Sequence, residues 1–157
     1  MGAKILIADD SRDDRFLISR AIQKVRPSFA VFSVEDGEEA VRYISGAGGY
    51  NDRERFPFPD VLLLDLNMPV MGGFEVLRWL RRSASKRLPA VVHSSSALEC
   101  DVKQAFELGA DLYLCKAPDL GEVSGALVEF VERLPVTEER RFDCGRMRGT
   151  GARWTTR

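Results

Sequence analysis

The stretch "VLLLDLNMP", residues 61–69, decides the fold. Val61, Leu62, Leu63 and Leu64 form an unbroken apolar run, the pattern of a strand covered on both faces and hence of a parallel sheet. The run stops on Asp65, and Asn67 and Pro69 open the loop that follows. An Asp after a strand is often only a turn former or the cap of the next helix. In an open parallel sheet, however, ligands bind at the carboxyl ends of the strands. The meaning of Asp65 therefore depends on what the other strands bring to that edge.

Working outward, "KILIADD" (4–10) is a short apolar strand running into two carboxylates. The next segment, "SRDDRFLISRAIQKV", is expected to be a helix with Phe16, Leu17, Ala21, Ile22 and Val25 on one face and Ser11 or Asp13 as its cap. Pro27 ends it. "FAVFSVED" gives a second strand and "GEEAVRYIS" a second helix, followed by a long Gly-, charge- and Pro-rich loop, 46–59. Beyond the quoted strand come "GGFEVLRWLRRS", an amphipathic helix with a basic outer face, a fourth strand "LPAVVHSS" and a fourth helix "ECDVKQAFELG" closed by Gly109. "ADLYLCK" and "DLGEVSGALVEFVERL" supply a fifth strand and helix. Five strands alternating with five helices predict a doubly wound parallel α/β sheet, (βα)5, over residues 1–134. Residues 135–157, where hydrophobic periodicity fades, are expected to be a basic tail or a dimerisation arm.

The composition is that of one ordinary globular domain: 45% hydrophobic and 30% charged, with a formal net charge of -1. That charge gives no general pull toward nucleic acid or anionic membrane. It hides an asymmetry, because residues 135–157 hold six Arg against three acids while the remainder is net acidic. The three cysteines, Cys100, Cys115 and Cys144, have no metal-ligand spacing. Cys100 and Cys115 fall in predicted elements and are expected to pack as small hydrophobes. No leader pattern or membrane-length apolar stretch is present, so a cytoplasmic location is expected. Gly2 opens a myristoylation-like pattern, but Leu6 stands where that pattern needs Ser or Thr.

With right-handed crossovers, strands one, three, four and five can be neighbours opening on one crevice. Asp9 and Asp10, Asp65, Ser94 and Lys116 would converge there. Three close carboxylates repel one another, and at least one pKa should rise. A divalent cation relieves that repulsion, and hard oxygen ligands favour Mg2+ over zinc. A carboxylate beside a cation, an ammonium and a hydroxyl is suited to accept a phosphoryl group, with Asp65 as nucleophile.

The pair "DD" at 9–10, "LLLDLNMPVMGG" at 62–73, Ser94 and "YLCK" at 113–116 together resemble a response regulator receiver domain of two-component signalling, over roughly residues 4–134. The resemblance implies a flavodoxin-like fold and phosphorylation of Asp65 by a partner sensor histidine kinase. It implies that Asp10, Asp65 and the backbone carbonyl of Asn67 hold Mg2+, with Asp9 acting mostly through water, and that Lys116 binds a phosphoryl oxygen. Ser94 would swing toward the phosphoryl group and let Tyr113 move inward, reshaping the face made by the fourth helix, fifth strand and fifth helix. The loop ending "FPFPD" and the sequence "CKAPDL" are further similar to receivers that partner bacterial phytochromes. A homodimer through the same face is expected, with no membrane contact and no direct nucleic-acid binding.

Two positions depart from the family pattern. Ala117 stands where Pro usually follows the lysine, and a cis Lys–Ala bond would cost about 3 kcal/mol. Either a trans bond with a shifted loop or a strained cis bond is expected. Ser94 replaces the commoner Thr but keeps the hydroxyl. His93, the only histidine, should point away from Ser94 by strand alternation and serve as a hydrogen-bonded structural residue.

Other functions fit less well. A haloacid-dehalogenase-type phosphatase would want an acid where Asn67 stands, and a flavodoxin would want a hydroxyl- and Gly-rich cradle where Asp9 and Asp10 stand. The chain is therefore read as a phosphoacceptor and not an enzyme on other substrates. The alternative is an unphosphorylated pseudo-receiver acting as a constitutive scaffold.

Overall fold

In a computed structural model, which describes residues 2–83 and 87–135, the uniformly apolar strands lie at the centre of the sheet. The strands are β1 (Lys4–Ala8), β2 (Ala30–Val34), β3 (Val61–Leu64), β4 (Ala90–Ser94) and β5 (Leu112–Cys115). The helices are α1 (Arg12–Val25), α2 (Gly37–Ser45), α3 (Gly73–Arg82), α4 (Glu99–Glu107) and α5 (Leu120–Arg133). All strand pairs are parallel and run in the order β2-β1-β3-β4-β5. This is the expected flavodoxin-like doubly wound sheet.

Every residue of β3 and β4 is buried, whereas the edge strands β2 and β5 expose part of their length. Strand alternation divides the interior into two layers. Leu6, Leu62, Leu64 and Val92 pack with α2 and α3 through Tyr43, Ile44, Val76 and Leu77. Ile5, Ile7, Leu63 and Val91 pack with α1 and α5 through Ile18, Ile22, Val123 and Leu127. Each fully buried side chain of this size contributes about 1.5–3 kcal/mol by leaving water.

Helix α1 corrects one expectation. It buries Ile18 and Ile22, while Phe16 is 60% exposed and Leu17 and Val25 also face outward. Phe16, Leu17 and Ile18 are consecutive, so at most one can centre the inward stripe. Docking against the sheet and α5 selects Ile18. Phe16 is left beneath the Arg20 guanidinium, 5.8 Å from the ring centroid. Ser11 is the cap, its Oγ accepting from the Asp14 N–H.

The long connection before β3 is tied down. It contains a 3-10 turn, Gly48–Tyr50, and Arg53 donates to the carbonyls of Tyr43 and Ile44 at 2.8 Å each, covering the end of α2. Tyr43, Tyr50 and Phe56 stack with centroids 5.0–5.9 Å apart.

Cys100 and Cys115 are both exposed, contrary to the packing expected of them. Cys115 ends an edge strand and Cys100 lies in the outer first turn of α4, so neither has a layer above it. Among the described residues no peptide bond is cis, so the Lys116–Ala117 bond takes the trans alternative, with Ala117 against the α1–α5 core. Cys144, Phe142 and Trp154, with the expected tail or arm, lie outside the described residues.

Two glycines should respond oppositely to an added methyl group. A Cβ on Gly73 would lie 2.3 Å from the Asp65 carbonyl oxygen and 2.9 Å from the Leu66 Cα, whereas one on Gly125 meets nothing within 4 Å. Urea unfolding should show Gly73→Ala destabilised by about 1–3 kcal/mol. Gly125→Ala should be stabilised by about 0.5–1 kcal/mol.

Candidate functional site

The carboxyl ends of β1, β3, β4 and β5 carry the site, and backbone hydrogen bonds set their register. Asp65 N–H donates to the Ala8 carbonyl at 2.9 Å, placing Asp65 beside Asp9, and Lys116 N–H donates to the Ser94 carbonyl at 2.8 Å. Lys116 Nζ then reaches three carboxylates: Asp9 Oδ2 at 2.8 Å, Asp14 Oδ2 at 2.9 Å and Asp65 Oδ2 at 3.2 Å. One carboxylate oxygen each from Asp9, Asp10 and Asp65 can be chosen so that all lie within 4.8 Å of one another. Asp9 and Asp65 are buried, and Asp10 is exposed at the mouth. Every expected acid and the lysine thus meet in one place. Asn67 lies exposed in the loop two residues past Asp65.

The electrostatics are unbalanced. Burial raises the Asp65 pKa above its ordinary value of 3.8, opposed by the Lys116 charge and reinforced by that of Asp9. Asp65 Oδ1 is buried and has no hydrogen-bond partner. Burial works against the charged form of Lys116, but its bonds to Asp9 and Asp14 and the charge of Asp65 outweigh that and raise its pKa, so the ammonium persists. The groups fit a small hard cation: all donors are oxygens, three carboxylates converge, and one buried oxygen lacks a partner.

The loop leaving Asp65 is strained and anchored. Val70 has φ 66°, in the left-handed region that costs a β-branched residue on the order of 1–3 kcal/mol. Gly73 N–H to Leu66 O at 3.0 Å and Gly37 N–H to Met71 O at 3.1 Å hold that loop in place.

Ser94 and Tyr113 meet at the β4–α4 loop. Ser94, wholly buried, accepts from the Ser96 N–H at 3.2 Å, and the Tyr113 hydroxyl donates to the Ser96 carbonyl at 2.8 Å. Ser96 Oγ donates in turn to Asp101 Oδ2 at 2.5 Å in the first turn of α4. A hydrogen-bonded path therefore leads from Ser94 to α4. The sequence reading missed Ser96 and Asp101 in this path, and Asp14 beside Lys116. Asp14 carried no local signal, since Asp9, Asp10 and Asp13 stand beside it in the sequence.

His93 is buried in β4 and lies on the opposite face from Ser94, as alternation requires. Its Nε2 is buried with no hydrogen-bond partner. It shares the α1–α5 side of the sheet with an apolar core, near the Lys116, Asp9 and Asp14 charges. Burial, followed by the Lys116 charge, lowers its pKa from 6.5 to about 4. Below pH 6.5 the unfolded chain therefore takes up a proton that the folded chain refuses. Stability should fall as pH drops from 6.5 to about 4, by a contribution of about 3 kcal/mol. In His93→Leu this contribution should vanish, so the stability gap between variant and wild type should change by roughly that amount across the window in urea titrations.

Residues 5–127 match the family model for the response regulator receiver domain. Response regulator Rcp1 of Synechocystis sp. is 32% identical over 120 residues, spanning 76% of this chain and 80% of that protein. The phosphorylated cyanobacterial phytochrome response regulator RcpA superposes with a TM-score of 0.77 at 31% identity, over 87% of this chain and 98% of that one. The Mn2+-bound form of Rcp1 gives 0.71 at 30%, over 86% and 99%. A match that begins in β1 and ends in α5 takes in every strand end of the crevice, and the chain belongs to the response regulator receiver domain family.

Proposed function

We propose that the chain is a response regulator receiver that accepts a phosphoryl group on Asp65 from a sensor histidine kinase. The supporting observation is the Asp65 carboxylate, with Oδ1 buried and unpartnered and Oδ2 3.2 Å from the Lys116 ammonium. A carboxylate oxygen attacks phosphorus, the bond to the donor histidine nitrogen breaks, and an aspartyl phosphate forms. Lys116 neutralises charge on a phosphoryl oxygen. Asp9, Asp10, Asp65 and the backbone carbonyl of Asn67 would hold Mg2+. That cation supplies charge neutralisation among the crowded oxygens. Rcp1 has a described Mn2+-bound form, which supports a divalent ion in a site of this kind.

In this reading residues 1–134 are the receiver and residues 135–157 a basic tail or dimerisation arm. Ser94 turns toward the phosphoryl group and releases its hold on Ser96, which Tyr113 also grips. The phosphoryl group supplies the differential binding energy that shifts the population. The output is a changed α4-β5-α5 face, where Val102, Phe106, Tyr113 and Ala126 line an open groove of about 630 Å³. Signalling is by protein contact, through a homodimer on that face, and not by catalysis or by binding nucleic acid. The relatives described as phytochrome response regulators support a phytochrome-type kinase as partner. The site of action in this reading is the cytoplasm; no helix among the described residues is long and apolar enough to cross a membrane.

Beryllofluoride with Mg2+ should change the fluorescence of Trp79, which lies in α3 just beyond the Asp65 loop, in a saturable manner in a Trp154→Phe background. Light scattering in parallel should show a dimer at tens of micromolar. Asp65→Asn should abolish the fluorescence change. An equal response from Asp65→Asn, or none from wild type, would favour the scaffold instead.

A further inference from the structure

An ammonium group has three N–H donors, and Lys116 finds a carboxylate for each, from Asp9, Asp14 and Asp65 at 2.8, 2.9 and 3.2 Å. Its capacity is filled, so binding a phosphoryl oxygen requires one of these partners to let go. The three are not equivalent. The side chains of Asp9 and Asp65 are 4% and 6% exposed, whereas that of Asp14 is 42% exposed. Asp9 is also fixed through Oδ1 by the Ser11 N–H at 2.8 Å. Detaching a buried carboxylate from its cation is strongly unfavourable, while a half-exposed one returns readily to water.

The local geometry of α1 explains why Asp14 is available. It stands three residues after the cap Ser11, where a Glu or Gln would reach back to the N–H of the cap residue. Here that N–H is taken by Asp9. The Asp14 N–H still donates to Ser11 Oγ, at 3.2 Å, which holds the turn, but its carboxylate is freed from capping. It reaches instead to a lysine 102 residues away in the chain.

Building on the assignment of Asp65 as phosphoacceptor, we infer that Asp14 is a positioning residue that competes with the phosphoryl oxygen for Lys116. It holds the ammonium in the resting protein and is the carboxylate displaced when the phosphoryl group arrives, so it biases the switch toward the unphosphorylated state. A more weakly competing residue would shift the population toward the active form at the same phosphoryl supply.

The test is beryllofluoride affinity at saturating Mg2+, followed by fluorine NMR. Asp14→Asn should bind roughly two- to fivefold more tightly than wild type, the effect of removing one partly exposed ion pair. Asp14→Glu, which keeps a carboxylate, and Asp13→Asn, which removes a neighbouring exposed charge, should stay near wild type. Unchanged or weaker binding by Asp14→Asn, or an equal gain in Asp13→Asn, overturns the inference. A second readout needs neither metal nor phosphoryl mimic. Acetic anhydride labelling of Lys116 in the metal-free protein, read by peptide mass spectrometry, should rise in Asp14→Asn while that of Lys24 does not. No rise would show that Asp14 does not hold the ammonium and would also overturn it. Wild-type protein that ignores beryllofluoride removes the phosphoacceptor reading and the competition together. A wild-type response left unaltered by Asp14→Asn removes the competition alone.

Discussion

One ammonium group holds the site together. Lys116 Nζ is shared among carboxylates from the ends of β1 and β3 and the first turn of α1, and its charge offsets part of their mutual repulsion at one sheet edge. The sheet makes this sharing possible. Parallel strands bring their carboxyl ends to one side, and the order β2-β1-β3-β4-β5 puts β1 and β3 side by side at its centre. Two apolar layers then hold those strand ends in place.

The arrangement leaves the site poised and not relaxed. Asp9, Asp14 and Asp65 share the Lys116 ammonium, Asp10 crowds the same mouth, and the buried Oδ1 of Asp65 has no hydrogen-bond partner among the described residues. The raised pKa of Asp65 expresses the imbalance as a stability cost. Below pH 3.8 both folded and unfolded chains carry the proton. As pH rises through the elevated folded value the native state must ionise in an unfavourable place, so at neutral pH the charged carboxylate destabilises the fold. Positive φ at Val70, in the loop that leaves Asp65, adds local backbone strain beside it. Local order is sacrificed where a site must receive charge.

Much of this was legible because buried parallel strands leave a simple trace. "VLLLD" and "ILIADD" carry no competing periodicity, so strand, end and carboxylate could be read together. Amphipathic helices were harder. In α1 the run Phe16-Leu17-Ile18 admits more than one inward stripe, and only docking against α5 selects Ile18 and Ile22. Cys115 was misjudged because its exposure follows from β5 being an edge, a property of strand order and not of local sequence. Asp14 escaped notice for a related reason: among four acids in six residues, nothing local says which one faces a lysine at the far end of the domain. His93 was placed on the correct face, but the lack of a partner at its Nε2 depends on which neighbours surround it.

The central claim is that Asp65 is kept ionised at a structural cost that a divalent cation relieves. Urea unfolding of wild type and Asp65→Asn, each in EDTA and in excess Mg2+, tests it directly. In EDTA the variant should be the more stable. Magnesium should stabilise wild type and leave the variant nearly unchanged, closing or reversing the gap. A variant no more stable than wild type in EDTA, or an equal effect of Mg2+ on both, would contradict the account.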